Sequence, residues 1–146
     1  MTITDVETRQ ANGVFDCHGA QVRAQYRHLA TVVTIRGEID AENVDPLGEY
    51  LRRFTLGETS VVLDLSGVSE FAVSGIWLLY AFDECCRAEG VDWTLVPSTA
   101  VLAVLDDDDR DDEFAMTPSV REVLNDLSEA IIRRRRMALP LVRKTV

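Results

Sequence analysis

Lysine is almost absent from this sequence, although the chain is strongly charged. Lys144 is the only lysine among fifteen basic residues, against twenty-five acidic ones, and the formal net charge is −10. A chain this acidic repels phosphate backbones and anionic lipid headgroups, so we expect neither nucleic-acid binding nor membrane binding.

Cysteine and histidine are also scarce, with three and two residues respectively. Cys17 is isolated, while Cys85 and Cys86 are neighbours in a predicted helix, where side chains about 100° apart make a disulfide geometrically poor. A zinc site needs spaced pairs of ligands, and none occurs. We therefore predict a reducing compartment and no metal site, with Cys85 as a candidate redox-sensitive thiol.

Short motifs that mark nucleotide sites and hydrolytic sites are missing too. The sequence has no Walker A loop and no G-x-G-x-x-G, and no G-x-S-x-G surrounds Ser74. We predict a protein that is not an enzyme and binds no cofactor. A hydrolase that uses Ser74 is the remote alternative.

Long apolar runs are absent, which argues against a span across a bilayer. Residues 1–12 are polar and lack the basic start and apolar stretch of a signal peptide, so we expect a cytoplasmic protein. We predict a flexible lead at residues 1–16, one domain at 17–134 and a tail at 135–146. The acidic run at 106–113 is predicted to be a solvated loop, with docking of a basic partner as the alternative.

Hydrophobic periodicity predicts strands that alternate with helices. Strands are predicted at 20–26, 31–39, 60–68 and 92–96, with a further short one at 114–116. Helices are predicted from Asp40–Asn43 to Phe54, at 75–89, at 99–105 and at 119–134. This order predicts an α/β fold with a mixed, mainly parallel sheet of four to five strands and about four helices.

Three motifs, in this order, resemble those of the STAS domain, especially in bacterial anti-sigma factor antagonists. They are GEID at Gly37–Asp40, VVLDLSGV at Val61–Val68 and the Ser74-Gly75 pair that opens a helix. The resemblance extends over residues 20–132. The family carries aspartate and serine before the acceptor serine, whereas this chain has Ala72 and Val73.

The resemblance implies an anti-sigma factor antagonist that binds an anti-sigma factor of the serine-kinase type and releases its sigma factor. It also implies that Ser74, the serine next to glycine, is the candidate phospho-acceptor, and that Asp40, Ser66 and Gly75 are candidate partner-binding residues. The alternative is a STAS module that senses a small ligand or redox state, or a scaffold, without a phosphoswitch. The sequence leaves homodimer formation and the identity of the sigma factor open.

Ser74 also has a physical interpretation that is independent of the family. It precedes an apolar helix, so we expect its hydroxyl to cap the helix by accepting a hydrogen bond from a first-turn N–H. A phosphate there suits the positive end of the helix but obstructs a docked partner. Trp77, three residues later on the same side, is predicted to be a partly exposed interface anchor. The alternatives are that Ser74 is only a cap and that Trp77 packs beneath the N-terminal segment.

Overall fold

Among the residues that the structure describes, the sheet has five strands, and their spatial order is that of the chain. The computed structural model describes residues 13–57, 59–107 and 114–145, with side chains up to Arg136. The first three strands pair antiparallel and the last three pair parallel, with β3 common to both sets. The strands are β1 Val14–Cys17, β2 Ala20–Tyr26, β3 Ala30–Ile39, β4 Ser60–Phe71 and β5 Trp93–Val96. The predicted mixed α/β sheet is confirmed.

Four α-helices surround the sheet in the described part of the chain. They are α1 Val44–Leu51, which continues as a 3-10 turn at Arg52–Thr55, then α2 Gly75–Glu89, α3 Thr99–Asp106 and α4 Val120–Thr145. The predicted bounds of α2 are confirmed, and Gly90 ends this helix in a left-handed conformation with φ +69°. The number of helices also agrees with the prediction.

Two hydrophobic layers cover the two faces of the sheet. On one face, α1, α2 and α3 pack against alternating strand residues such as Val33, Ile35, Leu63 and Leu65. On the other face, α4 contributes Val123 to a smaller cluster with Ala30, Val32, Val62 and Val96. β4 supplies buried residues to both layers, as expected for a central strand.

Strand β1 is the main element that the sequence analysis missed. His18 and Gly19 have φ +41° and +99° and form a two-residue turn between the paired residues Cys17 and Ala20. Two positive φ values give a hairpin turn whose twist matches that of the flanking strands. Residues 14–16 of the predicted lead are therefore part of the sheet, and residues 1–12 lie outside the described residues.

Three other elements differ from the prediction. β4 continues past residue 68 to Phe71, because register shifts against β3 keep the two strands paired as far as Ile39. Residues 114–116 form a single parallel bridge, between Leu95 and Met116, rather than a strand. Helix α4 continues through residues 135–145 of the predicted tail. Most of the acidic run, residues 108–113, lies outside the described residues.

Candidate functional site

The GEID motif and the Ser74-Gly75 pair meet at one end of the sheet. Ile39 and Phe71 are register partners at the carboxyl ends of β3 and β4, and the Ala72 N–H donates to the Ile39 carbonyl at 2.8 Å. The carboxyl ends of parallel strands are where binding sites in α/β sheets collect. The turns that start α1 and α2 therefore lie side by side at this end.

Asp40 organises the turn that precedes α1. Its Oδ1 accepts hydrogen bonds from the backbone N–H groups of Glu42 and Asn43, at 2.9 and 3.3 Å. The Asp40 N–H in turn donates to Oδ1 of Asn43 at 2.9 Å. Asp40 thus stabilises the turn, and contact with a partner stays a prediction for this residue.

Asn43 is a residue whose role the sequence analysis missed. Its side chain is fully buried, and Nδ2 donates to the carbonyls of Glu38 at 2.8 Å and His18 at 3.1 Å. Asn43 stands at the N-cap position of α1, but its Oδ1 accepts from the Asp40 N–H and not from a helix N–H. The amide instead joins the β1–β2 turn to the end of β3.

Ser74 stands at the N-cap position of α2, but its hydroxyl does not cap the helix. Gly75 and Ile76 donate their N–H groups to the carbonyls of Ala72 and Val73, at 2.8 and 3.0 Å, and Trp77 donates to the Ser74 carbonyl at 3.1 Å. These carbonyls satisfy the N–H groups that a hydroxyl cap uses. The expected cap is therefore wrong, and Ser74 Oγ is buried without a hydrogen-bond partner among the described residues.

We expect Ser74→Ala to leave the free energy of unfolding unchanged or to raise it by up to about 1 kcal/mol, because a buried, unpaired hydroxyl opposes folding. Urea unfolding of the full chain measures this change. Ser98→Ala is the matched control, since the Ser98 hydroxyl does cap α3 by accepting from the Val101 N–H at 3.2 Å. That variant should lose about 1 kcal/mol. A similar loss in Ser74→Ala contradicts the unpaired hydroxyl.

Gly75 is buried against Phe71. A Cβ at position 75 lies 2.5 Å from the Phe71 ring, closer than van der Waals contact permits. The glycine thus lets α2 start directly above the last residue of β4. Its position is explained by packing, and direct contact with a partner stays a prediction.

A groove runs between α1 and α2 and begins at Ser74. Trp77 lines it and is 68% exposed, and the adjacent Val73 is 70% exposed. The groove has a volume of about 660 Å³, and its charged lining consists of Asp45, Glu49 and Glu84 together with Arg52. An exposed tryptophan beside such a groove is typical of a protein-binding surface.

The two other predicted candidates lie apart from Ser74. Cys85 is half-buried and lines the part of the groove farthest from Ser74. The neighbouring Cys86 is fully buried. Its burial, together with the nearby Asp83 and Cys85, raises the pKa of the Cys86 thiol to about 12. Ser66 lies on the opposite face of the sheet, because strand alternation separates it from the buried Leu65. Ser66 and Ser74 therefore do not belong to one surface.

Neither a metal site nor a membrane span is visible in the described part of the chain. No three His, Cys, Asp or Glu side chains there lie close enough to hold an ion. None of its helices is long and apolar enough to cross a bilayer.

The arrangement of motifs and strands corresponds to a known family. A family model for the STAS domain matches residues 20–123. The chain belongs to the STAS family. The match extends from the start of β2 to α4, and it includes all three motifs and the groove.

Relatives of this STAS protein are found at both the sequence and the structural level. Osmosensory protein A of Mycobacterium tuberculosis (strain ATCC 25618 / H37Rv) is 51% identical over 144 residues, which are 96% of this chain and 91% of that protein. An anti-sigma factor antagonist from Mycobacterium paratuberculosis superimposes with a TM-score of 0.67 at 21% identity, over 75% of this chain and 94% of that one.

A second structural neighbour is the anti-sigma factor antagonist SpoIIAA in its unphosphorylated form. Its TM-score is 0.61 at 15% identity, over 74% of this chain and 96% of that one. At these identities the structural neighbours establish the fold of the STAS domain. The resemblance to the STAS domain that the three sequence motifs indicated is therefore confirmed.

Proposed function

We propose that this STAS protein is an anti-sigma factor antagonist, without enzymatic activity, that acts in the cytoplasm. It binds an anti-sigma factor of the serine-kinase type through Val73, Ser74, Trp77 and the groove between α1 and α2, which we call the α2 surface. The observation that carries this proposal is the exposed Trp77 side chain beside the motif serine. The anti-sigma factor antagonists among the structural neighbours support it.

The chemistry of the α2 surface suits a protein partner. Val73 and Trp77 place two large apolar side chains in solvent within one helical turn, which leaves apolar area that a partner can bury. The acidic residues Asp45, Glu49 and Glu84 outnumber the basic Arg52 along the groove, so its charge is negative overall. A partner with an apolar anchor pocket and a basic rim matches both features, and opposite charges accelerate association.

Trp77→Ala is expected to weaken binding to the anti-sigma factor by about 2 kcal/mol or more, roughly a 30-fold or larger rise in Kd. Calorimetric titration against a panel of kinase-type anti-sigma factors measures this. Tyr26→Ala is the matched control: Tyr26 is 79% exposed but pairs with Thr31, at the opposite end of the sheet from Ser74. Its Kd should stay unchanged. Equal affinities for the two variants contradict the proposed surface.

Phosphorylation of Ser74 is part of the same proposal. A phosphate at this position adds about −1.5 to −2 charges. The helix N-terminus stabilises that charge, so the fold tolerates it. The negative charge of the groove disfavours a second negative charge from the phosphate. The phosphate also obstructs a partner that docks on the α2 surface, so the partner loses contact there. Because Ser74 Oγ is buried, the side chain must first rotate outward to reach a kinase.

The phosphoswitch predicts one phosphate on Ser74 after incubation with the partner kinase and ATP, measured by intact mass and peptide mapping. The phosphorylated protein should bind the anti-sigma factor at least roughly tenfold more weakly than the unmodified protein. Ser74→Ala should bind but take up no phosphate. Undiminished binding by the phosphorylated protein contradicts the switch, and equal phosphate uptake by Ser74→Ala contradicts the assigned acceptor.

The input signal proposed for this protein is osmotic. The support is the 51% identity to osmosensory protein A over almost the whole of both chains. An antagonist of an anti-sigma factor converts such an input into release of a sigma factor. The sensing alternative, in which a small ligand or the Cys85 thiol acts without a phosphoswitch, uses the same groove and predicts no phosphate on Ser74.

A further inference from the structure

A second, polar cleft lies on the face of the sheet that α1 and α2 do not cover. Along β2, β3 and β4, alternate residues face away from the main core. Some of them form the apolar cluster that α4 covers, and the others, which α4 does not cover, are polar. The cleft has a volume of about 390 Å³. It includes Arg23, Arg36, Asp64, Ser66, Gln21 and Gln25.

Strand register brings the two arginines of this cleft close together. Arg23 is the partner of Thr34, which is the partner of Asp64 on the next strand. Arg36 lies two residues further along β3, on the same face as Thr34, and pairs with Gly67. Diagonal neighbours at this spacing are within reach of long side chains. Two guanidinium groups and one carboxylate therefore share one small concave surface.

Neither arginine is in direct contact with a carboxylate in the described residues. No salt bridge there involves Arg23 or Arg36, although the chain as a whole has a net charge of −10. Asp64 is engaged elsewhere, because its Oδ1 accepts from the N–H and the hydroxyl of Ser66, at 3.0 and 2.6 Å. These hydrogen bonds from neutral groups do not cancel the Asp64 charge, so the cleft holds two positive groups and one negative group. Both guanidinium groups still keep N–H donors for an external anion.

Gly67 makes room for one of these arginines. A Cβ at position 67 lies 3.0 Å from Cγ and 3.3 Å from Nε of Arg36, so the arginine side chain extends across the glycine. This glycine belongs to the VVLDLSGV motif, as do Asp64 and Ser66. The second half of the motif therefore builds the cleft rather than the Ser74 turn.

We propose that this cleft binds the phosphate group of a small phosphorylated metabolite. Two arginines offer paired N–H donors to several oxygens of a phosphate monoester, whereas a single carboxylate needs only one such residue. The second oxygen of Asp64 and the Gln21 amide then bind hydroxyl groups of the same ligand. The Gln25 amide contributes only its N–H groups, because its Oε1 accepts from Arg27 at 3.2 Å. The site lies on the face opposite the α2 surface, so it does not depend on the proposed function.

Glycerol 3-phosphate and inorganic phosphate are the probes, titrated into the ¹⁵N-labelled full chain at constant ionic strength. The expected result is saturable shifts of the Arg23 and Arg36 Nε–H signals and of the Ser66 and Gly67 amides. Arg23→Gln and Arg36→Gln should each raise Kd at least roughly tenfold. Arg121→Gln, an exposed arginine on α4, is the matched control and should leave Kd unchanged.

Three outcomes overturn the proposal. The first is a non-saturating response that sodium chloride reproduces. The second is an equal loss of affinity in Arg121→Gln. The third is acetate binding as tightly as phosphate, which contradicts the phosphate class. Gly67→Ala is a second variant, and it retains both arginines. The added methyl group should displace the Arg36 side chain and so weaken phosphate binding. Thermal unfolding of this variant should stay cooperative, which shows that the fold is retained.

Discussion

Replacement of Asn43 by alanine is expected to lower the free energy of unfolding by about 2–4 kcal/mol, because one buried side chain loses three hydrogen bonds to the backbone at once. The Asn43 amide donates to the Glu38 and His18 carbonyls and accepts from the Asp40 N–H. The Asn43 side chain is fully buried, whereas the turns that hold its partner groups are part-buried. A domain of ordinary stability, about 5–15 kcal/mol, loses a large part of its margin.

Urea unfolding of the full chain, followed by far-UV circular dichroism, measures this loss. Asn125→Ala, an exposed asparagine on α4, is the matched control and should change stability by less than about 0.5 kcal/mol. Asn43→Asp should also be strongly destabilised, since it retains an acceptor but loses both N–H donors. A loss near that of Asn125→Ala contradicts the assigned hydrogen-bond network.

Gly37→Ala should cost about 2–5 kcal/mol, because two separate effects add at this position. Gly37 has φ +102°, a backbone conformation that strains any residue with a Cβ. Its Cβ would also overlap the carbonyl oxygen of Gly19, which accepts from the Glu38 N–H at 3.0 Å. The first residue of the GEID motif is therefore a glycine because the β1–β2 turn crosses directly over it.

Gly90→Ala separates the two effects, since Gly90 has φ +69° but no atom within 4 Å of an added Cβ. That variant should lose only about 1 kcal/mol, the cost of the backbone conformation. Thermal and urea unfolding of both variants give the comparison. Equal losses for the two glycines contradict the collision with Gly19. The collision with the Gly19 carbonyl also predicts that the backbone amide NMR signals of His18 and Gly19 are displaced in the Gly37→Ala variant.

The fold was largely predictable because its periodic segments are long and consistent. Each of three patterns indicates a single type of element: the apolar run in β4, the alternation in β2 and the helical spacing in α2. The end of α2 at Gly90 is also predictable, because it depends on the backbone preference of that one residue. Strand β1 was missed because it has only four residues and because its turn is His18-Gly19 rather than a common Asn-Gly pair. Its position depends on the Asn43 amide, a contact between residues 25 apart in sequence.

The candidate site was predictable in its location but not in its internal contacts. Ser74 and Trp77 lie on α2 as their spacing indicates, and Trp77 is exposed. The hydroxyl of Ser74 was expected to cap the helix, but carbonyls of the preceding turn take the first N–H groups. Which acceptor a given N–H uses depends on backbone geometry, and residue type alone does not specify it.

The sequence by itself determined the family, the order of strands and helices, and the presence of Ser74 at the start of α2. These properties follow from local periodicity and from motifs whose residues are close together in the chain. The tertiary structure alone decided that Ser74 Oγ is buried and unpaired, that Asn43 joins the β1–β2 turn to β3, and that Ser66 faces away from Ser74. The physical reason is that burial and hydrogen-bond partners depend on which distant segments meet, and strand pairing brings them together only in the folded sheet.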